Sequence, residues 1–365
     1  MEPARAVTVT MSDVAKVACV SKNTVSLALN GSLRLPRSTR DRIRKIASRL
    51  GYQKNPTVAH LMAQIQCSRT PRFTAALALI NANTDRKAFR DHPTIPTYIT
   101  GCRVRASELG YRFDEFWLHD PELSSSRLSR VLKSRNIRGG IIVGMMNTNQ
   151  LPSRFNDLWT QFPFVVTGVR TQNPTLSFCC ADHHACALKA FEWAIQLGYR
   201  RPALVLDHVI DELLEGRFSS GVFVAQQQLP VARRARAFHL VNEARENPAL
   251  FETWLKKEKP DIILTLYHVV REWLTMAGLR VPNDVGLIQL EWRPDHRDWA
   301  GIDQHNDVVG ATAVDMLVGM IHRGETGVPI FPRATLIGGS WIDGKTVQRN
   351  ASGERKVAAS EATSG

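Results

Sequence analysis

From residue 73 onward the chain breaks into short apolar runs separated by longer amphipathic segments, a pattern that leaves few folds open. The runs are Ala75–Ile80, Arg112–Trp117, Gly140–Val143, Phe164–Thr167, Ala203–Leu206, Ile262–Thr265 and Val285–Leu290. Helix candidates lie between them at Ser124–Lys133, His184–Leu197, Leu213–Gln227, Pro248–Lys257 and Val308–His322. Strands that alternate with helices over this length predict parallel sheets covered by helices on both faces, hence an α/β module over residues 73–345. The 365 residues, 44% of them hydrophobic, suffice for one large or two smaller cores plus an appendage. Residues 346–365, ending in the small and polar RNASGERKVAASEATSG, read as a disordered tail.

The first 72 residues obey a different pattern. Residues 1–9 form a short arm, and residues 10–52 show helical periodicity broken by short turns, with no strand-like run. Residues 1–70 carry twelve Lys and Arg against Glu2, Asp13 and Asp41, so about +9 of the net +13 sits in a fifth of the chain. That asymmetry points to a polyanion, nucleic acid, as the partner of this segment. Ser12 is placed to cap a first helix whose first turn holds Asp13, with Val14, Ala15 and Ala18 facing inward. Ser21 is placed to cap a second, with Val25, Ala28 and Leu29 inward and Asn30-Gly31 at its end. A third starts near Pro36; Arg40, Arg42, Arg44, Lys45 and Arg49 lie on it, and Ile43, Ile46, Ala47 and Leu50 face the core. The very short turn between the first two leaves the start of the second, Lys22 and Asn23, free to enter a major groove. Asn55-Pro56 then interrupts the block. The segment TVAHLMAQIQ, residues 57–66, is helical in period, with Val58, Leu61, Met62 and Ile65 on one side, and Cys67-Ser-Arg-Thr-Pro71 reads as a linker.

MSDVAKVACVSKNTVSLALNG, followed by TRDRIRKIASRLGYQKNP, resembles the head of the LacI family of bacterial transcription regulators. The likeness is close over residues 10–56 and looser beyond, where Leu197-Gly198-Tyr199-Arg200-Arg201-Pro202, Gly278–Asp284 and Gly301-Ile302-Asp303-Gln304 carry it. The resemblance implies an all-α helix-turn-helix head over residues 1–56, a hinge helix and linker over 57–72, and a two-lobed α/β domain like a periplasmic binding protein. It further implies a cytoplasmic homodimer that binds double-stranded operator DNA, acts as a repressor and answers to a small-molecule effector. Ser12, Ser21, Lys22, Asn23, Thr24, Ser26, Leu27, Asn30 and Arg34 are then the expected DNA-contacting residues. Asn23 suits adenine and Lys22 guanine by their donor and acceptor patterns. Leu61 takes the place of the family's wedge leucine, which opens a base step in the minor groove. Two departures stand out. Cys19 replaces the usual turn Gly, which predicts a positive φ at a cost of roughly 1 kcal/mol. Leu27 stands where Arg is common, able to touch a thymine methyl but not to pair with guanine.

Ligands in open α/β sheets bind beyond the carboxyl ends of the strands. Four segments reach such a cleft, offering Asp182 and His183, Tyr267 and His268, Glu291 and Trp292, and Arg217. Carboxylates, an Arg and aromatic planes suit a sugar. The family's own ligand motifs match incompletely. Tyr267-His268 replaces Asn-Asp, Gln289-Leu290-Glu291-Trp292 replaces Gly-Phe-Asp-Asp, and Arg217 lies four rather than three residues before Gly221. A different ligand, or an effector-independent regulator, stays open.

Competing chemistry rests on one segment. CCADHHAC, residues 179–186, concentrates metal-ligand types, and convergence there would make a metal-dependent enzyme or metal sensor. A strand-to-helix passage near Asp182 would instead splay the side chains apart. No phosphate loop, HExxH or GxSxG is present, so neither an enzyme nor a cofactor is expected. The six cysteines form no C-x-x-C pair and read as reduced thiols. The opening MEPARAVTVT lacks the apolar run of a secretion signal, and no apolar stretch is long enough to span a bilayer.

Overall fold

The computed structural model describes residues 9–29, 35–52 and 75–349. The head is three helices: α1 (Met11–Ala18), α2 (Lys22–Leu29) and α3 (Arg37–Arg49). They bury Val14, Ala15, Ala18, Val25, Ala28, Ile43 and Ala47 in a small core of their own, with Leu29, Ile46 and Leu50 packed on its edge. The start of α1 corrects the sequence reading. Thr10, not Ser12, is the N-cap, because the Asp13 carboxylate three residues on accepts from both the Thr10 amide (2.9 Å) and its hydroxyl (2.6 Å). That pairing moves the helix start two residues upstream and leaves Ser12 inside the first turn. Cys19 ends α1 in the left-handed region, at φ 52 and ψ 46, which lets the chain reverse at once into α2.

Two sheets follow. The first holds β1 (Ala75–Asn81), β2 (Tyr111–Trp117), β3 (Gly140–Val143), β4 (Phe164–Thr167), β5 (Ser177–Ala181) and β10 (Ala334–Ile337), in the spatial order β10-β5-β4-β3-β1-β2. Every pairing in it is parallel. The second holds β6 (Pro202–Val205), β7 (Ile262–Thr265), β8 (Gly286–Gln289), β9 (Ala300–Asp303) and β11 (Ser340–Ile342), in the order β11-β9-β8-β7-β6. It is parallel except for β11, which runs antiparallel to β9.

Each sheet is covered on both faces, and the period-2 geometry of its strands shows it. Along β1, Ala76, Ala78 and Ile80 enter one core, while Leu77 and Leu79 enter the other. In the second sheet Leu204, Ile262, Leu264 and Ile288 face one core, and Val205, Ile263 and Leu287 the other. The helices that matter below are α4 (Ile95–Glu108), α5 (His183–Gln196), α6 (Arg217–Gln226) and α7 (Asn306–Arg323).

The chain passes between the sheets three times: from β5 into α5, from β9 into α7, and from β10 to β11. The last passage uses Gly338-Gly339. A Cβ on Gly339 would stand 2.4 Å from Ile302 Cγ2 and 2.8 Å from Cys186 Sγ, so only glycine fits there.

Two more sequence readings are corrected. The helix expected over Leu213–Gln227 is broken, because Glu215 and Gly216 both take positive φ. Its downstream part, α6, is tied to the preceding turn by Ser219 Oγ on Asp211 (2.6 Å). The tail boundary at 346 is also too early. The Thr346 hydroxyl donates to Leu287 O (2.7 Å) and accepts from Ala300 N (2.9 Å), which stitches this residue across β8 and β9. Residues 350–365 lie outside the described part of the chain. Among the described residues, no helix is long and apolar enough to cross a membrane.

Candidate nucleic-acid interface and ligand cleft

Ser21 organises the exposed start of α2. Its hydroxyl oxygen accepts from Thr24 N (3.1 Å) and lies 2.8 Å from the Thr24 hydroxyl. The cap holds the positive end of the helix dipole together with the exposed Lys22, which makes it an anion-facing surface. Thr24 and Leu27 are half-buried farther along, as is Ser12 on α1. Asn23 and Ser26 sit on α2, their side chains outside the described structure; Asn30, Arg34 and Leu61 are wholly outside it.

Arg44, Lys45 and Arg49 are exposed on α3. Arg42 does internal work as well, donating to Ala18 O (3.2 Å) and so capping the carboxyl end of α1 with a cation. Arg42 is exposed like its neighbours, and sequence counting could not tell that it also serves the fold.

The predicted cleft residues fall into two groups and one outlier. Asp182, His183 and Arg217 gather where β5 runs into α5. Asp182 caps α5 through Ala185 N (3.0 Å). His183 is buried against Phe218, with ring centroids 4.9 Å apart, and burial followed by the nearby Arg217 charge pushes its pKa down to about 3. Arg217 lies over Phe178, pairs with Glu215 (3.0 Å) and donates to Cys180 Sγ (3.1 Å). These three serve each other and the local fold, and His183 is too enclosed to meet a ligand.

The second group is His268, Glu291 and Trp292. Glu291, just past β8, accepts from Thr94 Oγ1 (3.2 Å) and from Asn306 Nδ2 (3.0 Å). Thr94 belongs to the first lobe and Asn306 opens α7, so this carboxylate joins the lobes. Burial, the largest influence on it, pushes its pKa up. His268 packs on His296 (3.6 Å) and Trp299 (5.0 Å). Burial, with His296 and Arg293 beside it, pushes its pKa down to about 4. Trp292 donates to Trp299 O (3.1 Å). The outlier is Tyr267, whose hydroxyl accepts from Asp207 N (3.2 Å) within the second lobe.

Sequence reading missed Thr94, Asn306 and Arg293. Asn306 stands between His305 and Asp307 in the polar run Asp303–Asp307, a signal in the sequence that could have pointed to it. Thr94 and Arg293 carry no local signal, since only the meeting of the lobes makes them neighbours.

CCADHHAC does not converge. Cys179 and Cys180 point to opposite faces of β5, Cys186 enters the second lobe's core, and His184 pairs with Ser220 (3.0 Å). Burial pushes the Cys179 thiol up to about 12 and the Cys180 thiol up to about 11, which disfavours the thiolate a metal needs. Among the described residues, Asp207, His208 and Glu243 do bring ligand atoms within 4.8 Å of one another. The buried Asp207 carboxylate, however, is already taken by Val209 N (3.0 Å) and Asn242 N (2.9 Å). A cavity of about 480 Å³ bounded by Met320, Val328, Ile330 and Phe331 lies at the amino end of β10, opposite the cleft.

Known proteins resemble this chain in sequence and fold. Residues 10–55 match the pattern described as bacterial regulatory proteins, lacI family. The HTH-type transcriptional regulator MalR of Streptococcus pneumoniae is 25% identical over 197 residues, 54% of this chain and 56% of MalR. The chain thus spans about half the length of that relative. The HTH-type transcriptional regulator CelR of Thermobifida fusca is 24% identical over 345 residues, 88% of this chain and 94% of CelR. Among solved structures, the lac repressor dimer bound to operator and the anti-inducer ONPF shares the fold, with a TM-score of 0.54 at 18% identity over 93% of this chain and 99% of that one.

Proposed function

We propose that the chain is a member of the lacI family of bacterial regulatory proteins, a sequence-specific DNA-binding transcription regulator and a repressor controlled by a small molecule. The observation that carries this is the head. A left-handed Cys19 turns the chain directly into a Ser21-capped helix with an exposed Lys22 at its start, beside a third helix with exposed Arg44, Lys45 and Arg49. That assembly offers a helix end to base edges and cations to phosphates. One head reads only a few base pairs, so two heads fixed in a homodimer gain affinity through effective concentration and read a near-palindromic operator. CelR and MalR are named as regulators of the same head type, and the lac repressor is seen as a dimer on its operator. Residues 57–66 supply the hinge and Leu61 its wedge. The α/β module holds the effector between its lobes, where Glu291 already links Thr94 to Asn306.

Genomic footprinting with the full chain tests the reading. Discrete, roughly two-fold symmetric sites are expected, and they disappear on deletion of residues 1–66. Binding that spreads evenly over DNA would refute a sequence-specific regulator. Lys22→Ala should weaken binding to the footprinted site by roughly 1–3 kcal/mol and leave random DNA nearly untouched.

A further inference from the structure

Arg217, the arginine that sequence reading sends to the ligand, is already partnered. Its guanidinium meets Glu215 at 3.0 Å and Cys180 Sγ at 3.1 Å, and Arg170 shares the same glutamate at 3.4 Å. Arg293, four residues past the end of β8, is in the opposite condition. Its Nε is buried and has no hydrogen-bond partner among the described residues. Glu291 is close enough to feel its charge, yet both Glu291 oxygens are committed elsewhere, one to Thr94 Oγ1 and one to Asn306 Nδ2.

Asn306 supplies the matching half. It is buried on the first turn of α7, and the bond from its Nδ2 to Glu291 Oε1 fixes which end of the amide is which. Its Oδ1 is therefore a true acceptor, and it too is buried without a partner. Buried donors and acceptors left unmatched are rare in native proteins, because each loses its water without return. Here an orphan donor and an orphan acceptor flank one carboxylate at the junction of the lobes.

The surroundings favour an anion beside the guanidinium. His92 of the first lobe and His268 of the second both feel Arg293, and burial with that charge lowers the pKa of each, so both stay neutral at neutral pH. His92 accepts from Thr94 N at 3.1 Å through Nδ1, which leaves its Nε2 to carry the proton. Asp295, the other acid in reach, is exposed to solvent.

We propose that the effector is a hydroxy acid of sugar size, its carboxylate held edge-on by Arg293 and a hydroxyl donated to Asn306 Oδ1. A guanidinium edge that includes Nε pairs with a carboxylate through two parallel N–H bonds, and a neutral sugar has nothing to match it. Asn306 opens a helix of the first lobe and Arg293 comes from the second, so such a ligand bridges the two. The proposal rests on the reading of the chain as an effector-controlled regulator.

The test is calorimetric and thermal-shift titration of the full chain with D-glucuronate, D-galacturonate and D-gluconate, against D-glucose, D-galactose and glucose 6-phosphate. At least one acid should bind about tenfold or more tighter than its neutral parent. Arg293→Met should erase that preference, Arg293→Lys should restore it in part, and Asn306→Asp should weaken the acid. Without ligand, Arg293→Met should be at least as thermostable as the parent, since it removes an unmatched donor. The proposal is overturned if no acid binds, if a neutral sugar or the phosphate binds tighter, if Arg293→Met keeps the preference, or if Arg293→Met is markedly less stable. Operator binding measured on the same samples separates the two readings. A neutral sugar that shifts operator affinity keeps the regulator and removes the acid; an acid that binds a protein with no operator affinity does the reverse.

Discussion

Single residues in the head show both the reach of sequence reading and its edge. The positive φ at Cys19 was legible, because a turn this short leaves no other backbone solution at a position where glycine is usual. The cap at Thr10 was not, since Thr10 and Ser12 are both competent and the choice lies with where the Asp13 carboxylate turns. Cys19→Gly should relieve up to about 1 kcal/mol of backbone strain, less what the freer unfolded chain takes back. Hydrogen exchange of the α1 and α2 amides in the full chain should slow accordingly, and faster exchange would mean that the cysteine side chain stabilises the turn. Two histidines, His183 buried and His268 half-buried, give the second prediction. His183 and His268 are pushed down to about 3 and about 4 from 6.5, burial being the first cause in each. The unfolded chain then takes up protons that the folded one refuses, so stability falls as pH drops from about 6.5 toward 4. Glu291, pushed up by burial, works in the opposite sense and blunts the loss. His183→Leu should flatten the acid side of a melting temperature against pH curve; an unchanged slope would discharge this histidine from the effect.

At the scale of elements, four-residue runs that are apolar up to a closing Thr in β4 and β7 marked β3, β4 and β7 to the residue, because a strand buried on both faces shows no charged interruption. β10 and β11 escaped notice: both lie at sheet edges, their residues are only partly buried, and their partners are far away in sequence. The contact of α4 with α7 was equally hidden, although two glycines mark it. A Cβ on Gly101 would stand 1.8 Å from Asp307 O, and one on Gly310 would stand 2.1 Å from Tyr98 O. The helices therefore touch backbone to backbone, and Cys102 Sγ reaches Gly310 O at 3.3 Å. Backbone cannot rotate aside as a side chain does, so Gly310→Ala must push α7 outward. The expected loss is roughly 1–3 kcal/mol, the usual cost of overpacking. Gly338→Ala, with nothing within 4 Å of its added carbon, is the control and should be near neutral. Urea unfolding followed by tryptophan fluorescence decides it, and equal effects of the two substitutions would mean that the helices separate freely. Since α7 also carries Asn306 at its start, the same substitution should disturb the Glu291 link, readable as faster exchange of amides near Thr94.

At the scale of the whole molecule, the order of elements told of a helical head and an α/β module, yet not of how one module is laced from two sheets. Three passages between sheets, and Thr346 pinned across β8 and β9, tie the far end of the chain into both lobes. No helix or strand pattern reports such stitching, and the cleft inherits the same obscurity: Thr94, Glu291, Arg293 and Asn306 meet only after the stitching is done. The head stands apart from this lacing. Among the described residues, its buried core draws on residues 14–47, with nothing from the module. Two bodies with separate cores have separate stabilities, and the smaller one buries the smaller share of its surface and is the more marginal. Deleting residues 1–66 should therefore abolish operator binding while shifting the module's melting temperature by no more than about 2–4 °C, the equivalent of about 1 kcal/mol for a body of this size. In the full chain, hydrogen exchange should show the α1–α3 amides opening at lower free energy than those of β3, β4 and β7. A large loss of module stability on deletion, or equal opening free energies, would mean that head and module fold as one unit. An effector would then act by unfolding or refolding the head rather than by repositioning it. If the two are independent, control must pass through the 22 residues from 53 to 74, and a ligand that bridges the lobes can alter DNA affinity only by changing the spacing or orientation at which two intact heads are held.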